Sequence, residues 1–88
     1  MQPLSDYDRS FIPQLCAVLP LVAREEPEAR TRLYPLWVAF NAAARQDGHE
    51  GMPIGVLRRL VLATGYGFNQ RTKTLYGLRL TAPHLLKK

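Results

Sequence analysis

Apolar residues recur at helical spacing in the first two-thirds of the chain and alternate with polar ones near its end. Ile12, Leu15, Cys16 and Leu19 fall at three- and four-residue steps, the period of one helix face. Ser10 is placed to cap this helix. Pro13 falls in its first turn, where a missing donor is tolerated, and Pro20 is expected to end it. A second helix is expected from Pro27, because proline is favoured at the first helical position and Glu28 suits the positive helix end. Along it, Leu33, Leu36, Trp37, Phe40, Ala43 and Ala44 form one broad apolar face, with Tyr34, Asn41 and Arg45 opposite. Pro35 falls inside this pattern and is expected to kink or divide the helix. The stretch DGHEG around Gly48 reads as a turn. A third helix is expected from Pro53 to about Thr64, with Ile54, Leu57, Leu60 and Val61 as its buried stripe. Arg58 and Arg59 lie beside that stripe, Leu62 falls outward, and Gly65 suits a helix stop.

From Thr74 the pattern T-L-Y-G-L-R-L puts Tyr76, Leu78 and Leu80 on one face and Leu75, Gly77 and Arg79 on the other, as in a strand. Tyr66 and Phe68 are expected to begin a partner strand, with the polar residues 69–73 as the tip between them. Pro83 is expected to stop the last strand. The expected fold is therefore mainly α with a small C-terminal β-hairpin (α+β): three or four helices, then a basic hairpin. One domain is expected over residues 10–82, after a flexible lead-in at 1–9 and before a basic tail at 83–88. The order helix, turn, helix, basic hairpin is similar to a winged helix-turn-helix domain, by architectural analogy. DGHEGM is longer than the usual turn of that motif, and Pro35 interrupts the helix before it.

Composition narrows the classes. A chain of 88 residues, 47% of them hydrophobic, supports one modest core and no second lobe. The single cysteine, Cys16, excludes an internal disulfide and a cysteine pair for a metal. Within LCAVL it reads as a buried small hydrophobe. No run reaches the ~18 apolar residues that span a membrane, and MQPLSDYDRS lacks the pattern of a signal peptide. The expected location is cytoplasmic.

Charge says more. All seven acidic residues lie at or before Glu50, alongside five arginines, so that part carries −2. From Gly51 onward there are seven basic residues and no acid, a charge of +7. Such a one-sided field draws anionic partners, of which phosphate backbones are the commonest. The expected binding residues are Arg58 and Arg59 on the third helix, Arg71 and Lys73 at the hairpin tip, and Arg79 on the last strand. Tyr66, Phe68 and Tyr76 stand among them as candidates for stacking on bases.

Little else carries chemistry. His49 neighbours Asp47 and Glu50 without a third nitrogen or sulfur ligand, and His84 lies in the tail. No carboxylate in the second half stands ready to orient a histidine. TGYGFN lacks the Lys and Ser or Thr of a phosphate-cradling loop and follows a helix instead of preceding one. No enzyme activity, metal or cofactor is expected. The leading expectation is a nucleic-acid-binding protein, DNA or RNA, and a small regulator in role. The alternative is an adaptor or inhibitor that docks on an acidic protein surface through complementary charge. An outward Leu62 is compatible with a homodimer.

Overall fold

A computed structural model describes residues 4–81. The elements are α1 (Asp6–Arg9), α2 (Ile12–Val22), β1 (Ala23–Arg32), α3 (Leu33–Gln46), α4 (Ile54–Ala63), β2 (Gly67–Asn69) and β3 (Thr74–Leu80). The protein is α+β, with four helices and one three-stranded antiparallel sheet in the order β1-β3-β2. The expected tail at 83–88, with Pro83 and His84, lies outside the described residues.

The expected lead-in is helical from Asp6, and Asp8 is buried. Ser5 caps this short helix, accepting from the Asp8 amide at 3.1 Å. Ser10 closes its far end, donating to the Tyr7 carbonyl at 2.6 Å, and so serves α1 instead of opening α2. Helix α2 runs two residues past Pro20. A proline costs a helix the bond to the carbonyl four residues earlier. Here that residue is Cys16, which is exposed like Pro20, so the vacated carbonyl lies on the solvent side. Cys16 is thus not a core residue. Gln14, Leu15, Val18 and Val22 face inward instead.

The largest departure lies in residues 23–32, where a helix was expected from Pro27 and the whole stretch is a strand. Strand β1 pairs with β3 as Ala23↔Leu80 to Glu25↔Leu78 and again as Arg30↔Tyr76 to Arg32↔Thr74. Residues 26–29 form a bulge between the two stretches, opposite Gly77. Pro27 sits in that bulge, where no ladder donor is needed. Gly77 has φ +99°, a conformation strained for a residue with Cβ. The Thr31 hydroxyl, buried, donates to the Leu78 carbonyl at 2.7 Å. Helix α3 then starts at Leu33, which places Pro35 in its first turn, where the amide has no helical partner to lose. No kink is required.

The core gathers Val18, Val22, Leu36, Phe40, Leu57 and Leu75, each fully buried, from α2, α3, α4 and β3. Val56 belongs to it too, beside the expected Leu57, Leu60 and Val61. Two expectations for α3 change. Trp37 is half-buried at the margin, its Nε1 donating to the Met52 carbonyl at 2.7 Å. Asn41, expected outward, is 7% exposed. Its Nδ2 donates to the Met52 carbonyl at 3.2 Å and its Oδ1 accepts from the Met52 amide at 3.0 Å. This pair of bonds holds the loop before α4. A Cβ on Gly51 would stand 2.8 Å from Asn41 Oδ1, and φ there is +90°, so only glycine fits. Leu62 is half-buried.

Candidate nucleic-acid interface

Helices α3 and α4 are joined by the loop that Asn41 pins, and the start of α4 lies near the start of α3. The segment between β2 and β3 reaches the same place. Asn69 Oδ1 accepts from the Arg71 amide at 2.9 Å and the Thr72 amide at 3.3 Å, a side-chain-closed turn that shapes the tip. Strand β2 pairs antiparallel with β3, from Gly67↔Tyr76 to Asn69↔Thr74. Lys73, just before β3, has φ +56°, a conformation that costs a non-glycine residue about 1 kcal/mol or more. Its carbonyl accepts from the Leu33 amide at 2.8 Å. That amide is one of the donors a helix leaves free at its start. The bond ties the tip to α3.

This convergence leaves an open cavity of about 390 Å³ lined by Leu33, Tyr34, Ile54, Gly55, Arg58 and Lys73. The walls are apolar and two cations stand at the edge. Arg58 comes from α4, Lys73 from the strand-connecting segment. Arg71 is exposed on the tip, two residues before Lys73, and does not line the cavity. None of the three has an acidic partner among the described residues.

The other two expected cations are engaged elsewhere. Arg59 makes a two-pronged pair with Asp8, Nε to Oδ2 at 2.8 Å and Nη2 to Oδ1 at 2.9 Å. The hydrogen bond to Arg59 holds the Asp8 carboxyl below its ordinary range, against the opposing effect of burial, and the guanidinium is held more firmly protonated in return. Arg79 pairs with Glu26 of the β1 bulge at 3.2 Å. Of the five expected cations, Arg58 and Lys73 line the cavity, Arg71 is exposed on the tip, and Arg59 and Arg79 each pair with an acid of the same chain.

The aromatic candidates also divide. Tyr66 and Phe68 are half-buried and packed against the core. The Tyr66 hydroxyl donates to Glu25 Oε1 at 2.8 Å, and burial, reinforced by that bond, pushes its pKa up to about 12. Tyr76 is 37% exposed, with the Arg30 guanidinium 5.9 Å from its ring centre. None of the three lines the cavity. Tyr34 does, and it is 63% exposed. Its one sequence signal was its place opposite the apolar face of α3.

Among the described residues no three His, Cys, Asp or Glu come together as a metal site, and no helix is long and apolar enough to cross a membrane. No family model matches the chain, and no curated protein or solved structure matches it either.

Proposed function

We propose that the protein binds nucleic acid through the α3–α4 pair and the segment between β2 and β3. The observation that carries this reading is the placement of Arg58 and Lys73 at one cavity, without internal acids to neutralise them, with Arg71 exposed on the same tip as Lys73. Cations left unpaired at a concave surface focus an attractive field on anions. Arg58 and Lys73 would take phosphate oxygens across the cavity mouth, with Arg71 extending the contact along the backbone. Tyr34 offers an exposed ring for a base or sugar that enters the apolar hollow.

The element order supports the same reading. From α2 onward, a helix, a strand, two helices and two strands, with the first strand beside the last, is an order similar to that of a winged helix-turn-helix domain. In that arrangement α4 would be the helix presented to a groove and residues 70–73 the wing. The expected function as a small regulator fits that architecture, by analogy of fold alone.

The test is fluorescence anisotropy with duplex DNA, single-stranded DNA and RNA at several salt concentrations. Binding should weaken steeply with salt, as displaced counterions require. Absence of binding to all three probes at low salt would end the proposal. The adaptor reading would then lead, favoured by the apolar walls that Leu33 and Ile54 give the cavity. An acidic protein segment with one apolar side chain would suit it.

A further inference from the structure

Strands place alternate residues on opposite faces of a sheet. Thr31, Leu75 and Phe68 are ladder neighbours across β1, β3 and β2. Thr31 and Leu75 are buried and Phe68 packs against the core, so this row faces the helices. The rows on either side of it face outward. One is Arg30, Tyr76 and Gly67, and the other is Arg32, Thr74 and Asn69. Arg30, Arg32 and Tyr76 are all exposed. A Cβ on Gly67 would stand 3.4 Å from Tyr76 Cδ2, so the ring leans over a strand position that has no side chain. On the β1 side stands Arg30, its guanidinium 5.9 Å from the ring centre.

Neither Arg30 nor Arg32 has an acidic partner among the described residues. Glu28, two residues before Arg30, pairs with neither, and Arg24 and Arg79 both draw on Glu26. The charge left unopposed on β1 therefore lies at its last residues, and these adjoin the cavity. Arg32 precedes Leu33, whose amide donates to the Lys73 carbonyl at 2.8 Å, and Leu33, Tyr34 and Lys73 all line that cavity. Arg30 and Arg32 are two strand positions apart, ~7 Å. Cations thus follow one another from Arg58 and Lys73 at the cavity to Arg32 and Arg30 on the sheet. Counting charge by halves of the sequence hides these two arginines, because they belong to the half that holds every acid.

An exposed ring among unopposed cations on an open sheet has the chemistry that unpaired nucleotides use. Phosphates track the charge, and a base lies on the ring or on a guanidinium plane. A duplex keeps its bases stacked inside and would leave Tyr76 unused. An acidic peptide would answer the charge and not the ring. Resting on the nucleic-acid reading above, we propose that a single-stranded segment runs from the cavity across the outer face of the sheet. One base stacks on Tyr76, and Arg30 and Arg32 take phosphates.

Anisotropy titrations of a single-stranded oligonucleotide and of a blunt duplex test this. Tyr76→Ala should weaken single-strand binding about tenfold, Tyr76→Phe should retain it, and duplex binding should stay at the wild-type level in both. Arg30→Ala combined with Arg32→Ala should lower the single-strand salt slope by about 1.4 and leave the duplex slope unchanged. Circular dichroism should match wild type in each variant, since all three side chains are exposed. Irradiation of wild type with a single strand carrying 5-iodouracil should join the strand to Tyr76, read by mass spectrometry of the peptides, so the ring is tested even where Tyr76→Ala fails to fold. Single-strand affinity and slope equal to wild type in these variants, with crosslinks only at Tyr34, would overturn the inference and leave the cavity reading standing. Equal losses for single strand and duplex would overturn it too, because the face would then be a general phosphate contact. A wild-type protein that binds neither probe would remove both readings, and binding to polyglutamate in that case would assign the face to an acidic protein.

Discussion

Arg58 and Arg59 are neighbours on α4, yet the two sides of that helix hold them to different tasks. On one side Arg59 closes on Asp8 of α1, and the pair fastens the chain's first helix to the body. On the other, Arg58 stands beside Tyr34 and Lys73 at an open cavity with no acid facing it. A helix turns by about 100° per residue, so adjacent side chains meet different neighbours. The lesson concerns charge counts. The absence of acids after Glu50 describes the sequence, while neutralisation happens in space. Asp8 and Glu26 come from the acidic half and pair with two of the five expected cations, while Arg58 and Lys73 share one cavity.

The strongest way to break this contrast is to remove what positions both sides at once. Asn41→Ala would leave the buried Met52 amide without its acceptor and the Met52 carbonyl with Trp37 alone. An unsatisfied buried amide costs about 1–3 kcal/mol, a large share of the stability of a small domain. The urea midpoint should fall accordingly, and binding and the Asp8 tether should weaken together. An unchanged midpoint would mean the loop before α4 is held by something else.

Replacing Arg71 and Lys73 together sharpens the cavity side. Lys73 should be changed to Asn, which tolerates its left-handed backbone, and Arg71 to Ala. Stability should hold, because both side chains are exposed. Affinity should drop for every nucleic-acid sequence, and the slope of log affinity against log salt should fall by about 2. A slope equal to wild type would remove these two residues from the interface. Arg58→Ala should lower the same slope by about 1. Arg58 also sits on the helix that would enter a groove, so its loss should alter preference among duplex sequences where Arg71 and Lys73 do not.

Legibility in the sequence followed the same physical division. The apolar faces of α3 and α4 were readable because burial against one core imposes a helical period. The tip at 69–73 was readable from its polar residues, whereas charge alone did not separate Arg58 and Lys73, which line the cavity, from Arg59 and Arg79, which pair with acids. Residues 23–32 were not. Pro27 and Glu28 imitate a helix start locally, and only the distant partner β3 makes this segment a strand. Asn41 looked like a solvent residue because its partner, the backbone of Met52, leaves no trace in a hydropathy pattern. The partners of Arg59 and Arg79 lie 51 and 53 residues away, beyond any local rule. Cys16 looked buried by its neighbours' character, and its exposure follows from which side of α2 meets the core. Tyr34 was passed over because an aromatic ring off the apolar face has no periodic signal.

The smallest expected effect is the most specific to the Arg59 side, and acid reveals it. Asp8 is held ionised below its ordinary carboxyl pKa of 3.8, first by the Arg59 hydrogen bond. A carboxyl with a lowered folded-state pKa stabilises the fold when ionised. That contribution is fully present above the ordinary value, shrinks as pH falls through it, and is gone once pH passes the lowered folded value. Asp8→Asn removes the charge and keeps one acceptor for Arg59. The variant should therefore unfold at a lower temperature than wild type at pH 7, and the two melting curves should converge as pH drops below about 4. Because the Arg59 side chain is 39% exposed, added salt should narrow the gap at pH 7 as well. Nucleic-acid affinity should not fall in this variant, since Arg59 loses an acid without leaving α4. A constant gap from pH 7 to pH 3 would mean that Asp8 contributes by packing alone, and a loss of affinity would mean that the two sides of α4 are coupled.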